Sequence, residues 1–262
     1  MGIDQDDAAL EAARNTLRLG QQITLIKGNF GGLDECLLQA RIPYVDAFLF
    51  DLGVSSPQLD QPDRGFSYQV DVPLDMRMDP QRQTLTAADV LATYSEADLA
   101  RILRDYGEER WASRIAAFIV AARGRLPLTT TSQLVDVVKA AIPASARRGG
   151  PHPARRTFQA LRIEVNGELS AVEKGLRAAV RWLAPGGRIA VISYHSLEDR
   201  IVKGVFAEFS SGCTCPPEMP VCTCGRVPVL RVVTRKAIAP SADEVENNPR
   251  ARSAKLRVAE RT

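Results

Sequence analysis

The sequence predicts an α/β fold: a doubly wound sheet interrupted by an all-helical subdomain. Three observations carry this. The first fifty residues alternate helix, strand, helix, strand. Residues 86–143 show only helical periodicity. The apolar run RIAVIS at 188–193 follows a long amphipathic stretch and ends in Tyr194-His195-Ser196.

Taken in order, residues 7–19 place Leu10, Ala13 and Leu17 on one helical face, with Gly20 as a stop. Residues 23–26 form a strand, followed by the polar loop Gly28-Asn29-Phe30. Residues 33–40 are helical. Residues 45–50 form a buried strand, with Ala47, Phe48, Leu49 and Phe50, that runs into Asp51 and a small-residue loop of Gly53, Ser55, Ser56, Pro57 and Gln58. An acid and a tight loop at the carboxyl edge of a parallel sheet mark the place where α/β proteins bind ligands. The next twenty residues have no helix or strand period, and a long unpatterned loop beside such an edge is more often functional than filler.

The helical block follows. Ser95 caps a helix carrying Leu99, Ile102 and Leu103, stopped at Gly107. Residues 111–122 bring Ile115, Phe118 and Ile119 inward. Thr130 and Gln133 make a capping box before Leu134, Val137 and Val138. The stretch after Pro143, with Arg147, Arg148 and His152 among Gly and Pro, is the exit loop. Phe158, Leu161, Val165, Leu169, Val172, Leu176, Val180 and Leu183 then recur at steps of three and four, which predicts one long helix bent near Gly167 and ended by Pro185-Gly186-Gly187. Strands are expected at 188–193, 229–234 and 254–259. The domains expected are 1–80 and 158–262 for the α/β part and 81–157 for the helical insertion.

With 262 residues, 45% hydrophobic and 25% charged, the composition is that of a globular protein. No apolar run approaches the ~20 residues of a membrane helix. The N-terminus has no basic start or apolar signal core, so a cytoplasmic location is expected. The formal charge of +3 is small, but Arg147, Arg148, Arg155 and Arg156 are concentrated in one loop, which suits a phosphate backbone. Of five cysteines, Cys36 reads as a small buried hydrophobe. Cys213, Cys215, Cys222 and Cys224 form a CxC pair of pairs. One tetrahedral zinc and a set of reduced thiols both fit this spacing, and no metal site is assigned.

Read from position alone, Asp4 divides evenly between a ribose contact and a helix cap, a role to which Asp6 is better suited. Asp51 is an even choice between cap and ligand contact, Phe30 reads as core, and Gln58 as facing solvent. Ser55-Ser56-Pro57-Gln58 reads as a Ser-Pro turn, and the stretch with His195 and Glu198 as a structural hydrogen bond or a helix cap by Ser196.

Longer motifs occur together in one order: GIDQD, GNF, DLGVSSPQLD, RGFS, PLDMRMDP, YGEERWASRIA, HPARRTFQALRIEVN and ISYHSLEDRIVK. Over nearly the whole chain they resemble the bacterial 16S rRNA cytosine-N4 methyltransferase family, ribosomal RNA small subunit methyltransferase H. The resemblance implies a class I S-adenosylmethionine-dependent methyltransferase (Rossmann-like) fold with a helical insertion. It also implies methylation of N4 of a cytidine in the decoding region of 16S rRNA in the small ribosomal subunit. It places Asp4 on the ribose of S-adenosyl-L-methionine, Phe30 against the adenine, and Asp51 and Gln58 at the same cofactor. Ser55–Gln58 partly resembles the loop of enzymes that methylate base amino groups. Ser55, Ser56 and His195 are the catalytic candidates, with no proton acceptor assigned, and Arg147, Arg148, Arg155 and Arg156 are the RNA-binding candidates.

Family members begin with a further strand and a glycine-rich loop that this sequence lacks, so an N-terminally truncated sheet, weak cofactor binding and low stability are expected. The alternative is a non-catalytic RNA-binding remnant. A dinucleotide oxidoreductase would explain Asp4 but has no use for Ser55–Gln58 or the arginine loop.

Overall fold

A computed structural model describes residues 1–17, 23–55, 58, 61–148, 150–213, 215 and 223–262. Its elements are β1 (Gly2–Asp4), α1 (Asp7–Thr16), β2 (Leu25–Lys27), α2 (Leu33–Gln39), β3 (Val45–Asp51), α3 (Ala87–Thr93), α4 (Glu96–Asp105), α5 (Ala112–Arg123), α6 (Thr131–Ala141), α7 (Arg155–Asn166), α8 (Glu168–Trp182), β4 (Leu183–Ser193), α9 (Ser196–Ser210), β5 (Leu230–Val232), α10 (Ala242–Asn247) and β6 (Lys255–Arg261). They fall into two compact units, one of Met1–Asp4, Gln22–Gly53 and Leu169–Thr262, the other of Gln5–Gln21 and Val54–Glu168. No helix among the described residues is long and apolar enough to cross a membrane.

The first unit is α/β, as expected. Its strands form two ladders. β1 pairs parallel with β2, Gly2 opposite Leu25 and Asp4 opposite Lys27. The second ladder runs β3-β4-β6-β5, with β3 parallel to β4 and β6 antiparallel to both its neighbours. Alternation along β4 buries Ile189, Val191 and Ser193 on one face. Ile189 and Val191 share a core with Leu33, Leu37, Leu176, Val205, Phe206 and Ala259. Each fully buried Leu or Ile contributes about 2 kcal/mol of transfer free energy.

Two expectations need correction here. β3 is not a buried strand: Leu49 is 71% exposed and, of its apolar residues, only Phe50 is fully inside. β3 also has a ladder partner on one side alone among the described residues. The long helix is two helices. Gly167 takes a left-handed conformation (φ 59°) as the C-cap of α7, and α8 starts at the next residue.

The second unit is helical, and its caps follow the sequence. Thr86 with Asp89 and Thr130 with Gln133 form capping boxes, and the Ser95 hydroxyl accepts from Asp98 N–H. Leu91, Leu99, Ile102, Ile115, Ile119, Leu134 and Leu161 make its core. The unpatterned loop is held tightly against this core. Gly65 has φ 72°, and a Cβ there would lie 2.4 Å from the Pro73 carbonyl oxygen, so only glycine fits. Met76, fully buried, also has a positive φ, 61°. Asn166 at the end of α7 locks that turn: its amide donates to Met76 C=O at 2.8 Å, and its oxygen accepts from Met78 N–H at 2.8 Å and from Gln83 at 3.1 Å.

Candidate active site

In the α/β unit the predicted residues lie at strand ends. Asp4 closes β1, its carbonyl accepting from Gly28 N–H at 2.9 Å. Phe30 opens the turn after β2, with Asn29 accepting from Gly31 N–H. Its half-buried ring stands edge-on to Phe50, centroids 5.8 Å apart, and lies so close to Gly175 that a Cβ there would meet the ring at 2.9 Å. This contact brings the carboxyl ends of β2 and β3 together. It also makes Phe30 part of the core, as position alone suggested, while leaving part of the ring accessible.

Asp51 ends β3 and accepts a hydrogen bond from the Tyr194 hydroxyl at 2.8 Å. Burial, then this carboxylate, pushes the Tyr194 hydroxyl up to about 12 from 10. Sequence reasoning missed Tyr194 as a site residue. The signal was the parallel register, which sets Asp51 opposite Ile192 and so places Tyr194 just beyond the same edge.

His195 is the N-cap of α9, correcting the assignment of that role to Ser196, which is the first helical residue. His195 Nδ1 accepts from Glu198 N–H at 3.4 Å. The buried Glu198 carboxylate reaches back to Tyr194 N–H at 2.8 Å and His195 N–H at 3.3 Å. Both backbone donors at the mouth of the helix are thereby satisfied. His195 Nε2 is buried and 3.2 Å from Glu198 Oε1, without hydrogen-bond geometry. Further along α9, Arg257 and Lys255 hold the Asp199 carboxyl below its usual range, Arg257 foremost, and tie the helix to β6.

In the helical unit Gln58 is buried, not solvent-facing. Its amide donates to Asp6 at 2.8 Å and its oxygen accepts from Ser55 N–H at 3.0 Å. Asp6 is also the N-cap of α1, accepting from Ala8 N–H, and takes a further hydrogen bond from Arg64 at 3.1 Å. The same Arg64 nitrogen donates to the carbonyls of Arg77 and Met78. Neither Asp6 nor Arg64 was a predicted site residue; only the fold shows that they brace this loop. The Ser55 hydroxyl accepts from Gln58 N–H at 3.4 Å. Ser56 lies outside the described residues.

Arg147, Arg148, Arg155 and Arg156 are all exposed. Arg155 and Arg156 occupy the first turn of α7, whose N-cap, Ala154, supplies no side-chain cap. Cations at the positive end of a helix are electrostatically unfavourable, so the helix dipole does not favour them there. His152 supports this loop by stacking on Tyr68, centroids 4.5 Å apart, and by accepting from Ala154 N–H. Burial, then Lys139, pulls its pKa down.

The chemistry available at the α/β edge is polar recognition: a carboxylate at the end of β1, a partly accessible ring after β2, and a carboxylate–phenol pair at β3. That set suits the ribose, purine and amino groups of a nucleoside donor such as S-adenosyl-L-methionine.

Comparison with known proteins agrees. "Ribosomal RNA small subunit methyltransferase H" of Heliobacterium modesticaldum is 55% identical, over all of this chain and 84% of its own length. The protein of that name from Symbiobacterium thermophilum is 56% identical over 98% of this chain and 81% of its own length. That of Brevibacillus brevis is 53% identical over the full chain and 83% of its own length. The model of the MraW methylase family matches residues 1–262, and the chain therefore belongs to that family of class I methyltransferases, whose methyl donor is S-adenosyl-L-methionine.

Proposed function

We propose that this chain methylates N4 of a cytidine in the decoding region of 16S rRNA, acting on the small ribosomal subunit in the cytoplasm. The observation that carries this reading is family membership joined to the carboxyl-edge set of Asp4, Phe30 and Asp51–Tyr194.

When bound, the donor supplies an electrophilic sulfonium methyl. The protein's part is to hold and orient. The Asp4 carboxylate accepts from ribose hydroxyls, the accessible part of Phe30 lies against the purine, and Asp51 takes an amino group of the donor. Gln58 is assigned to the donor by resemblance, and its hydrogen bonds to Asp6 and Ser55 hold its own side chain in place. The cytosine amino lone pair is delocalised into its ring and is a weak nucleophile. By resemblance, oxygens of Ser55 and Ser56 would accept the amino hydrogens and orient that nitrogen, so that positioning and fixed dipoles carry the catalysis. His195 is a candidate to take the departing proton. The helical insertion, 81–157, presents Arg147, Arg148, Arg155 and Arg156 to RNA phosphates. The target base leaves its stack to be methylated, at lower cost in loosened RNA.

The test is methylation of small subunits at saturating donor, with N4-methylcytidine read by mass spectrometry after nuclease digestion. Methylation of another atom, or RNA binding without turnover, overturns the proposal; the latter favours a binding remnant. Asp4→Ala should weaken S-adenosyl-L-methionine binding, read by calorimetry, tenfold or more. Replacing the four arginines by alanine should lower the slope of log K against log salt by about 3.

A further inference from the structure

We propose that Cys213, Cys215 and Cys224 form a zinc site that closes the loop between α9 and β5. The methyltransferase reading makes no use of these thiols, since attack by an exocyclic amine needs no thiolate. Their sulfur atoms all lie within 4.8 Å of one another. Cys213 Sγ and Cys224 Sγ are 3.9 Å apart. In a tetrahedral zinc thiolate with Zn–S near 2.3 Å, sulfurs are separated by about 3.8 Å. A disulfide needs about 2.0 Å, so 3.9 Å, the length of a thiol–thiol hydrogen bond, is no bond between the sulfurs and already matches the spacing of shared metal ligands.

The backbone supports the same reading. Cys215 N–H donates to Cys213 Sγ at 3.4 Å, which stabilises negative charge on that sulfur. The loop also leaves and returns at one place. After the cluster, Arg226 donates to Glu208 C=O at 3.0 Å and Val229 N–H to Phe209 C=O at 2.9 Å, both carbonyls belonging to the last turn of α9. Gly225 makes the return turn with φ 57°. A metal at 213, 215 and 224 therefore ties together a loop whose two ends are already fixed.

The donor set selects the metal. Three soft thiolates, with no carboxylate or imidazole among the three, exclude magnesium and calcium and suit zinc. Each thiol loses its proton to solvent as the ion binds. Cys222 lies outside the described residues and is not counted among the ligands. Cys36, buried in the α/β unit with its thiol pushed up by burial and then by Glu35, is the internal control.

The experiment uses the whole chain. Protein purified without chelator should carry one zinc per chain by elemental mass spectrometry. Cys213→Ser with Cys224→Ser should reduce that to near zero, and Cys36→Ser should leave it unchanged. Cobalt(II) titrated into the wild-type apoprotein should give a thiolate-to-cobalt charge-transfer band and the intense visible bands of a tetrahedral ion. The cobalt result does not depend on how any variant folds. Absence of both zinc and tetrahedral cobalt bands in the wild-type chain overturns the site. Bands that persist undiminished in a folded Cys213→Ser, Cys224→Ser protein also overturn it.

Discussion

The two compact units treat their irregular backbone and open edges in opposite ways. In the helical unit, residues 64–80 have almost no secondary structure, yet their polar groups are met by Asn166, Arg64 and Asp6, and two positive-φ residues are fixed by close packing. In the α/β unit the backbone is regular, yet β1 and β3 each have one open side among the described residues, and an apolar side chain, Leu49, faces solvent. Regularity and completeness are thus separate properties. A loop with every buried group paired is more tightly specified than a strand with half its ladder.

The strongest test of that contrast is Asn166→Ala. It removes the partners of Met76 C=O and Met78 N–H, both buried beside a residue at positive φ, and should cost about 3 kcal/mol. Urea unfolding followed by tryptophan fluorescence reads it. A loss under about 1 kcal/mol would show that the loop is held by packing and not by this amide.

A second test uses one tyrosine in each unit. Tyr94 donates to Glu164 at 2.7 Å in the helical unit, and Tyr194 to Asp51 in the other. Both hydroxyls are pushed up to about 12 from 10, by burial first and the carboxylate second. The folded chain thus holds these protons more tightly than the unfolded one. Their contribution to stability is complete below pH 10 and is lost as pH rises from 10 to about 12. Tyr94→Phe and Tyr194→Phe should each cost about 1 kcal/mol at neutral pH. Each should remove one tyrosinate from the late part of the ultraviolet titration. Asp51→Asn should move Tyr194 back towards 10 and leave Tyr94 unchanged.

The smallest effect is expected at Leu49. Leu49→Lys on the open strand should change stability by no more than about 0.5 kcal/mol. It should also reduce self-association measured by light scattering, because a charge on an edge strand opposes strand-to-strand docking. A large loss of stability would mean that Leu49 is covered in solution.

Local patterns were legible and their neighbours were not. Ser95 and Thr130 announce their helices because a cap acts within four residues. VDAFLFD announces a strand for the same reason, but how far it is buried depends on which strands flank it, and that is not written in those seven residues. Gln58 looked solvent-facing because its partner, Asp6, is 52 positions away. His195 attracted a catalytic reading by residue type, whereas its capping role emerged only with the backbone of α9. Asp4 and Asp51 end their strands as expected because strand ends are local; Tyr194 was overlooked because its link to Asp51 spans 143 positions.

Gly167 has one more implication. The chain crosses from one compact unit to the other within two residues of it, with no linker. A Cβ at this glycine would touch nothing within 4 Å, so its φ of 59° and not crowding sets the requirement. Asparagine, which tolerates that conformation, is therefore an acceptable replacement, and alanine is the disruptive one. Alanine disfavours that torsion and favours further helix, so this single residue decides where the winding of α7 stops.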